Sequence, residues 1–193
     1  MLKNISYAVL EFSRYIFPYF NTFELVVLND EDIEEIDNFV SKLINRKLLE
    51  SHHKKDSGME YKRWTNGILG ERAVEKYINK RFIDFNIGNS NLYHISDMSK
   101  IGIQCGIKTV EIGKFPIIFK QSKMPEIIVI KETDYNYYIC GVAKTETLNE
   151  YQSEHLIRSE NLKKRGTKTA FYGFEYLISP KKLKKRFSNE IHS

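Results

Sequence analysis

Apolar positions recur along this chain at two different periods, and the change from one to the other divides it. Ile33, Ile36, Phe39, Val40, Leu43 and Ile44 follow at spacings of three and four, which gathers them on one face of a helix. Asn29-Asp30-Glu31-Asp32 stands just ahead of them. Acidic groups suit the positive end of a helix, so the segment is expected to start there and to end near Leu49. Upstream, Ile5, Val9, Leu10 and Phe12 share one side of a shorter helix interrupted near Pro18, whose ring fixes φ and removes a donor. Ser51 to Gly58 is polar and reads as a loop. Residues 64–80, WTNGILGERAVEKYINK, read as another strong helix, capped by Thr65 or Asn66. Gly67 and Gly70 lie three apart on it and would let another backbone approach closely.

After a turn at Gly88-Asn89-Ser90-Asn91 the period falls to two. Ile101, Ile103, Cys105 and Ile107 alternate with Gly102, Gln104, Gly106 and Lys108. Such alternation predicts a central strand over 101–110 with those four apolar residues buried. Phe115 to Phe119 is a second apolar run. Ile127-Ile128-Val129-Ile130 is a third, expected to be buried on both faces. Tyr137 to Val142 is a fourth, with a hairpin turn at Thr133-Asp134-Tyr135-Asn136 before it. Pro180 opens a basic tail, PKKLKKRF. The pattern therefore predicts a helical N-terminal region over 1–60 and an α/β core with a basic C-terminal segment over 61–193. The core is expected to be α+β, a mixed sheet of four or more strands flanked by helices.

Composition adds limits. At 193 residues the chain can bury one hydrophobic core, and 41% apolar residues are too many for a disordered one. A formal charge of +5 permits an anionic partner without requiring one. Cys105 and Cys140 stand apart inside apolar runs with no CxxC pair. That argues against a cysteine-built zinc site and for a reducing compartment, the cytoplasm. Glu11, Arg14 and Pro18 interrupt the apolar N-terminus, so neither a signal peptide nor a membrane span is expected.

Several chemistries find no support. There is no Gly-x-Ser-x-Gly elbow, no Walker A loop and no Gly-x-Gly-x-x-Gly turn. His52 and His53 are adjacent, so their side chains point apart and make a poor metal pair. The informative stretch runs from Asp97 to Lys108. A carboxylate can hold Mg²⁺ against a phosphate, and a nearby lysine can orient water or stabilise developing charge.

With an acidic residue ahead of a strand that carries Lys108, this stretch resembles the PD-(D/E)xK superfamily, the restriction-endonuclease-like nucleases. The likeness covers roughly residues 64–143. Asp97 matches the first carboxylate and Lys108 the lysine, in the strand Ile107-Lys108-Thr109-Val110-Glu111. Pro125 to Ile130 and Tyr138 to Gly141 look like the next two core strands, and the helix with Gly70-Glu71 like the leading one. The position two before Lys108 departs from the pattern: it is Gly106, where Asp or Glu is expected. Glu71 is the first substitute, with Glu126 and Glu111 as others. Glu111 falls on the opposite face of a regular strand, whereas Gln104 shares the face of Lys108 and could position water.

The resemblance implies a Mg²⁺-dependent DNA endonuclease with a restriction-endonuclease-like core. Asp97 and Glu71 would hold the metal, and Lys108 and Gln104 would serve the water. Arg158, Lys163, Lys164, Arg165 and Lys168 would contact the backbone of double-stranded DNA. Cutting both strands favours a homodimer. The alternative is an inactive relative, binding nucleic acid or protein and acting in phage–host conflict, in which Gly106 records the loss of catalysis. A purely structural protein is the third reading.

Overall fold

A computed structural model describes residues 7–48, 57–86 and 96–189. His52-His53 and the Gly88 to Asn91 turn lie outside the described residues.

Two helices open the chain much as the periodicity predicts. Helix α1 spans Tyr7–Tyr15 and gives way to a 3-10 turn, Phe17–Thr22, with Pro18 in its first positions. Helix α2 spans Asp30–Leu48. Asn29 and Asp32 cap it reciprocally: Asn29 Oδ1 accepts from the Asp32 N–H at 3.0 Å, and Asp32 Oδ2 from the Asn29 N–H at 3.1 Å. Between these helices lies a strand that helical periodicity could not reveal, β1 (Glu24–Val27). The N-terminal region therefore also contributes to the sheet.

Helix α3 (Ser57–Ile78) begins a full turn and more before Thr65, so neither Thr65 nor Asn66 caps it. Asn66 instead joins two strands, donating to Glu111 and accepting from Lys131 at 2.7 Å.

Strands β2 (Gly106–Glu111), β4 (Glu126–Lys131) and β5 (Asn136–Ala143) complete a four-stranded sheet with β1. Its order is β1-β5-β4-β2, with β2 parallel to β4 and the other pairs antiparallel. The hairpin turn falls between β4 and β5 as expected. All six residues of β4 are buried, as its continuous apolar run predicts. Strand β3 (Ile117–Phe119) belongs to a second sheet, of order β3-β7-β6, with β6 at Gln152–Ser153 and β7 at Lys168–Phe171. A short helix, α4 (Thr145–Glu150), links β5 to β6 of this second sheet, and another, α5 (Glu160–Arg165), lies between β6 and β7.

The two faces of β4 hold the two halves of the core. Ile127 and Val129 pack with α2 and α3 residues such as Ile36, Val40, Leu69 and Val74. Ile128 and Ile130 pack with Phe12, Ile16, Phe115, Ile118 and Phe171, from α1 and the second sheet. The basic tail is a helix, α6 (Pro180–Asn189), whose Phe187 is buried in the first cluster. The mixed α/β class, with its sheet flanked by helices, therefore holds.

Two expectations change. The strand over 101–110 is shorter and lies at an edge: β2 starts at Gly106. Residues Ser99–Ile101 form a 3-10 turn closed by Gly102 at φ 75°, which glycine reaches without a Cβ penalty. Of the four apolar residues, only Cys105 is fully buried; Ile101, Ile103 and Ile107 pack partly against the helical cluster. A tight turn can direct alternate side chains inward as a strand does, so alternation did not distinguish the two.

The Gly67 and Gly70 pair also divides. A Cβ on Gly67 would meet nothing within 4 Å, whereas one on Gly70 would lie 1.7 Å from Thr109 Oγ1. Helix α3 thus touches β2 at Gly70. Alanine normally stabilises a helix interior over glycine, but here overlap reverses the sign. Gly70→Ala is expected to cost about 1–3 kcal/mol by overpacking, measured by urea unfolding. A gain in stability would mean that the helix does not sit this close.

Candidate active site

Asp97 reaches the edge of β2 through a short closed loop. Ser96 Oγ donates to the Ile103 carbonyl at 2.9 Å, and the Met98 N–H to Cys105 O at 3.3 Å. Met98 is wholly buried and anchors the loop. Gly106 donates to Pro125 O on the paired side, so the next N–H, that of Ile107, points to the free edge. Asp97 Oδ2 accepts it at 2.5 Å. The carboxylate thereby occupies an edge position that a further strand would otherwise fill.

Gly106 faces an acidic surround. A Cβ there would have Glu126 Cγ at 3.5 Å, Asp97 Oδ2 at 3.6 Å and Met124 Sδ at 3.9 Å. Register explains the first: Gly106 pairs with Glu126 across the parallel β2–β4 ladder. Glu126 is 8% exposed. Its Oε2 has no hydrogen-bond partner and lies 3.8 Å from Lys108 Nζ. The carboxylate missing two residues before Lys108 thus has a counterpart directly across the ladder.

Glu71 comes from the other direction. Gly70 meets Thr109, and Thr109 and Lys108 point to opposite faces of β2. Helix α3 therefore covers the face away from Lys108, and Glu71 is not among the nearest atoms to the space beside Gly106. Asp97, at the edge, adjoins both faces. Burial raises the Glu71 carboxyl well above its usual range, with Asp97 and then Glu75 adding to the effect. Burial also raises Asp97, against the Ile107 N–H and Lys108, which favour its ionised form. Glu126 is raised by burial first, with Lys108 opposing and Asp97 reinforcing. Asp97 is thus the shared neighbour of the other two acids.

A cavity of about 530 Å³ opens over Gly106, Lys108 and Glu126. Phe119, Gln121, Ser122, Lys123 and Met124 form its other wall. Strand pairing sets a further lysine against the Phe119 wall, because Lys168 on β7 pairs with Phe119 on β3. Its Nζ lies over the Phe119 ring, 2.9 Å from the centroid. Burial and then Lys108 push the Lys168 amine down to about 8.

The remaining expected residues scatter. Gln104 precedes β2 and is exposed. It lines a separate cavity with Leu183, Arg186 and Phe187 of α6, away from Lys108. Glu111 lies on the face opposite Lys108, as alternation predicts. Lys114 and Lys62 bond its carboxylate and hold its pKa down to about 2. Arg158 donates to Gly113 O at 2.9 Å, and Lys163 pairs with Glu160. Lys164 and Arg165 are exposed at the end of α5, and Arg165 contributes to the field at Lys168. Burial also pushes the Cys105 thiol up to about 12, which removes it as a nucleophile at neutral pH.

A divalent cation is a chemical fit to this centre. Glu126 Oε2 is a buried oxygen without a hydrogen-bond partner, beside Asp97 in the space left by Gly106. Mg²⁺ is usually held by one or two carboxylates, with water and phosphate completing its shell. Among the described residues, no three His, Cys, Asp or Glu side chains converge as a self-sufficient metal cage.

These shifts have a consequence for stability. Asp97, Glu71 and Glu126 hold protons more tightly folded than unfolded. Their contribution is present in full below the unfolded values, about 4, and is lost as pH rises through the raised folded values. Glu111 acts oppositely, but its contribution is lost only as pH falls towards 2. As pH rises above about 4 the metal-free protein should therefore lose melting temperature, and Glu71→Gln should flatten that slope. Mg²⁺ should raise the melting temperature more at the upper end, where the carboxylates are ionised. Equal slopes in the two proteins would show that the Glu71 carboxyl is not raised by its burial and its acidic neighbours.

Comparison with protein-family models, with curated proteins and with solved structures gives no match. Among the described residues, no helix is long and apolar enough to cross a membrane.

Proposed function

We propose that this chain is a Mg²⁺-dependent endonuclease of restriction-enzyme type that hydrolyses phosphodiester bonds in DNA. The observation that carries the reading is the pairing of Gly106 with Glu126, which sets a carboxylate beside both Asp97 and Lys108. In this reading Asp97 and Glu126 hold Mg²⁺, and Glu71 lies on the helical side, where burial first and Asp97 second keep its carboxyl raised. The ion, when bound, supplies Lewis acidity and lowers the pKa of water. Lys108 donates to the attacking water or to a phosphate oxygen as negative charge develops there. Lys123 adds a second cation to the cavity, and Lys168 stands behind its Phe119 wall. Lys164 and Arg165, exposed at the end of α5, contact the backbone further along. A homodimer would set one such site on each strand.

A second reading is favoured by the absence, among the described residues, of a three-ligand cage. It is a nucleic-acid-binding or protein-binding module derived from such a nuclease, with a role in phage–host conflict. One experiment separates the two. Supercoiled plasmid is incubated with the protein and Mg²⁺, and in parallel with EDTA. Nicking or linearisation that EDTA and Lys108→Ala both abolish supports the enzyme. A shifted but uncut plasmid in both conditions supports the binding module.

A further inference from the structure

We infer that the second sheet makes this centre selective for unpaired nucleotides, with Phe119 as the platform on which a base stacks. This rests on the reading of the cavity as the place where a nucleic-acid backbone sits. Phe119 is 53% exposed, although it belongs to a strand whose neighbour Ile118 is wholly buried. Lys168 covers one side of the ring, and the residue still lines the cavity that holds Gly106, Lys108 and Glu126. A cation over one face, a half-exposed ring and a lysine in the same cavity are the components that single-strand grooves use: charge follows the backbone and an aromatic face takes the base.

The shape of the cavity supports the same conclusion. A volume of about 530 Å³ is of the size that encloses a small molecule. Duplex DNA keeps its bases stacked and paired, so it can present only its backbone to such a recess. A base enters only when it is single-stranded or turned out of the helix. Lys123 and Gln121 also line the cavity, and stacking takes any base, so the selectivity would be for unpaired structure and not for sequence. The preferred substrates would then be single strands, flaps or junctions with unpaired nucleotides, in place of the uniform duplex that a homodimer of such sites would cut.

The test is binding of a fluorescent single-stranded oligonucleotide and of its duplex, without divalent metal and at equal low salt. Wild type should favour the single strand. Phe119→Ala should lower single-strand affinity about tenfold, within the range for loss of one stacked base, and so remove most of that preference. Phe119→Tyr should keep it, and Phe119→Leu should lose it while preserving an apolar side chain. Equal losses on both DNAs, or no preference in wild type, overturn the inference. Cleavage is scored separately with Mg²⁺. Selective binding without cleavage leaves the stacking site standing and removes the nuclease reading. Cleavage without selectivity does the reverse.

Discussion

Replacing Glu126 with Gln is expected to cut Mg²⁺-dependent cleavage by at least about a hundredfold, the scale of losing one preorganised electrostatic group. Folding should survive the change. Glu126 is buried, its Oε2 has no hydrogen-bond partner, and burial holds its pKa up. Glutamine keeps the shape and removes the charge. Melting temperature should therefore stay level or rise, since a buried carboxylate near neutral pH is a cost that only a cation offsets. Loss of activity together with a raised melting temperature identifies a functional carboxylate; loss of both identifies a structural one. A rescue sharpens the test. Gly106 has room for a Cβ at ordinary contact distances, so Gly106→Asp in the Glu126→Gln background would return a carboxylate to the strand of Lys108. Recovery of a substantial part of the cleavage is expected. If the double variant is as inactive as the single one, the two positions are not alternatives for one role.

Arg72 is expected to give one of the large stability losses among single truncations of the described residues. Arg72→Met should cost about 3–5 kcal/mol in urea unfolding, the range for stripping one partner from a buried ion network. Its side chain is fully buried. Its guanidinium lies 3.0 Å from Glu75 and 3.8 Å from Asp32, and bonds Glu35 as well. Phe85 stacks near it at 5.7 Å. Glu75 in turn accepts the Phe82 and Ile83 N–H groups at 2.5 and 2.8 Å. One side chain thus joins α2, α3 and the segment after α3. Without it, Glu75 and Asp32 face a poorly hydrated interior with less compensation. Arg72→Lys should recover little, because an ammonium on a flexible stem cannot reproduce the planar fork. A cost below about 1 kcal/mol for Arg72→Met would mean that water reaches the network, since that is the range of exposed pairs. Glu71 is the next residue, so a weakened network should also disturb Asp97 and lower any cleavage activity.

How much of this was legible beforehand depends on whether a property is local. Helix α2 could be read with its start, because Asn29 and Asp32 cap it from three residues apart and its apolar stripe repeats within one turn. Burial of β4 on both faces followed from four consecutive apolar residues. Asp97 and Lys108 were legible as candidate groups, being eleven residues apart on one loop and strand. Strand β1 was not, since four residues flanked by helical pattern carry no period of their own and pair only because β5 is there. The Ile101 to Cys105 alternation misled for a related reason: a turn closed by Gly102 places side chains inward much as a strand does.

By itself the sequence determined the helices, the mixed α/β class, the buried central strand and the presence of an acid and a lysine near one strand. Those properties are written in residues a few positions apart, where backbone geometry alone fixes which side chains share a face. The tertiary structure decided which acid stands beside Gly106. Glu126 is twenty residues away along the chain and meets Gly106 only through the parallel β2–β4 register. Glu71, adjacent to Gly70, was placed behind the strand by the close contact with Thr109. Lys168 was likewise set against Phe119, which lines the cavity, by pairing in a second sheet. Register and packing are set by the whole core at once, so no local pattern could have chosen among those carboxylates.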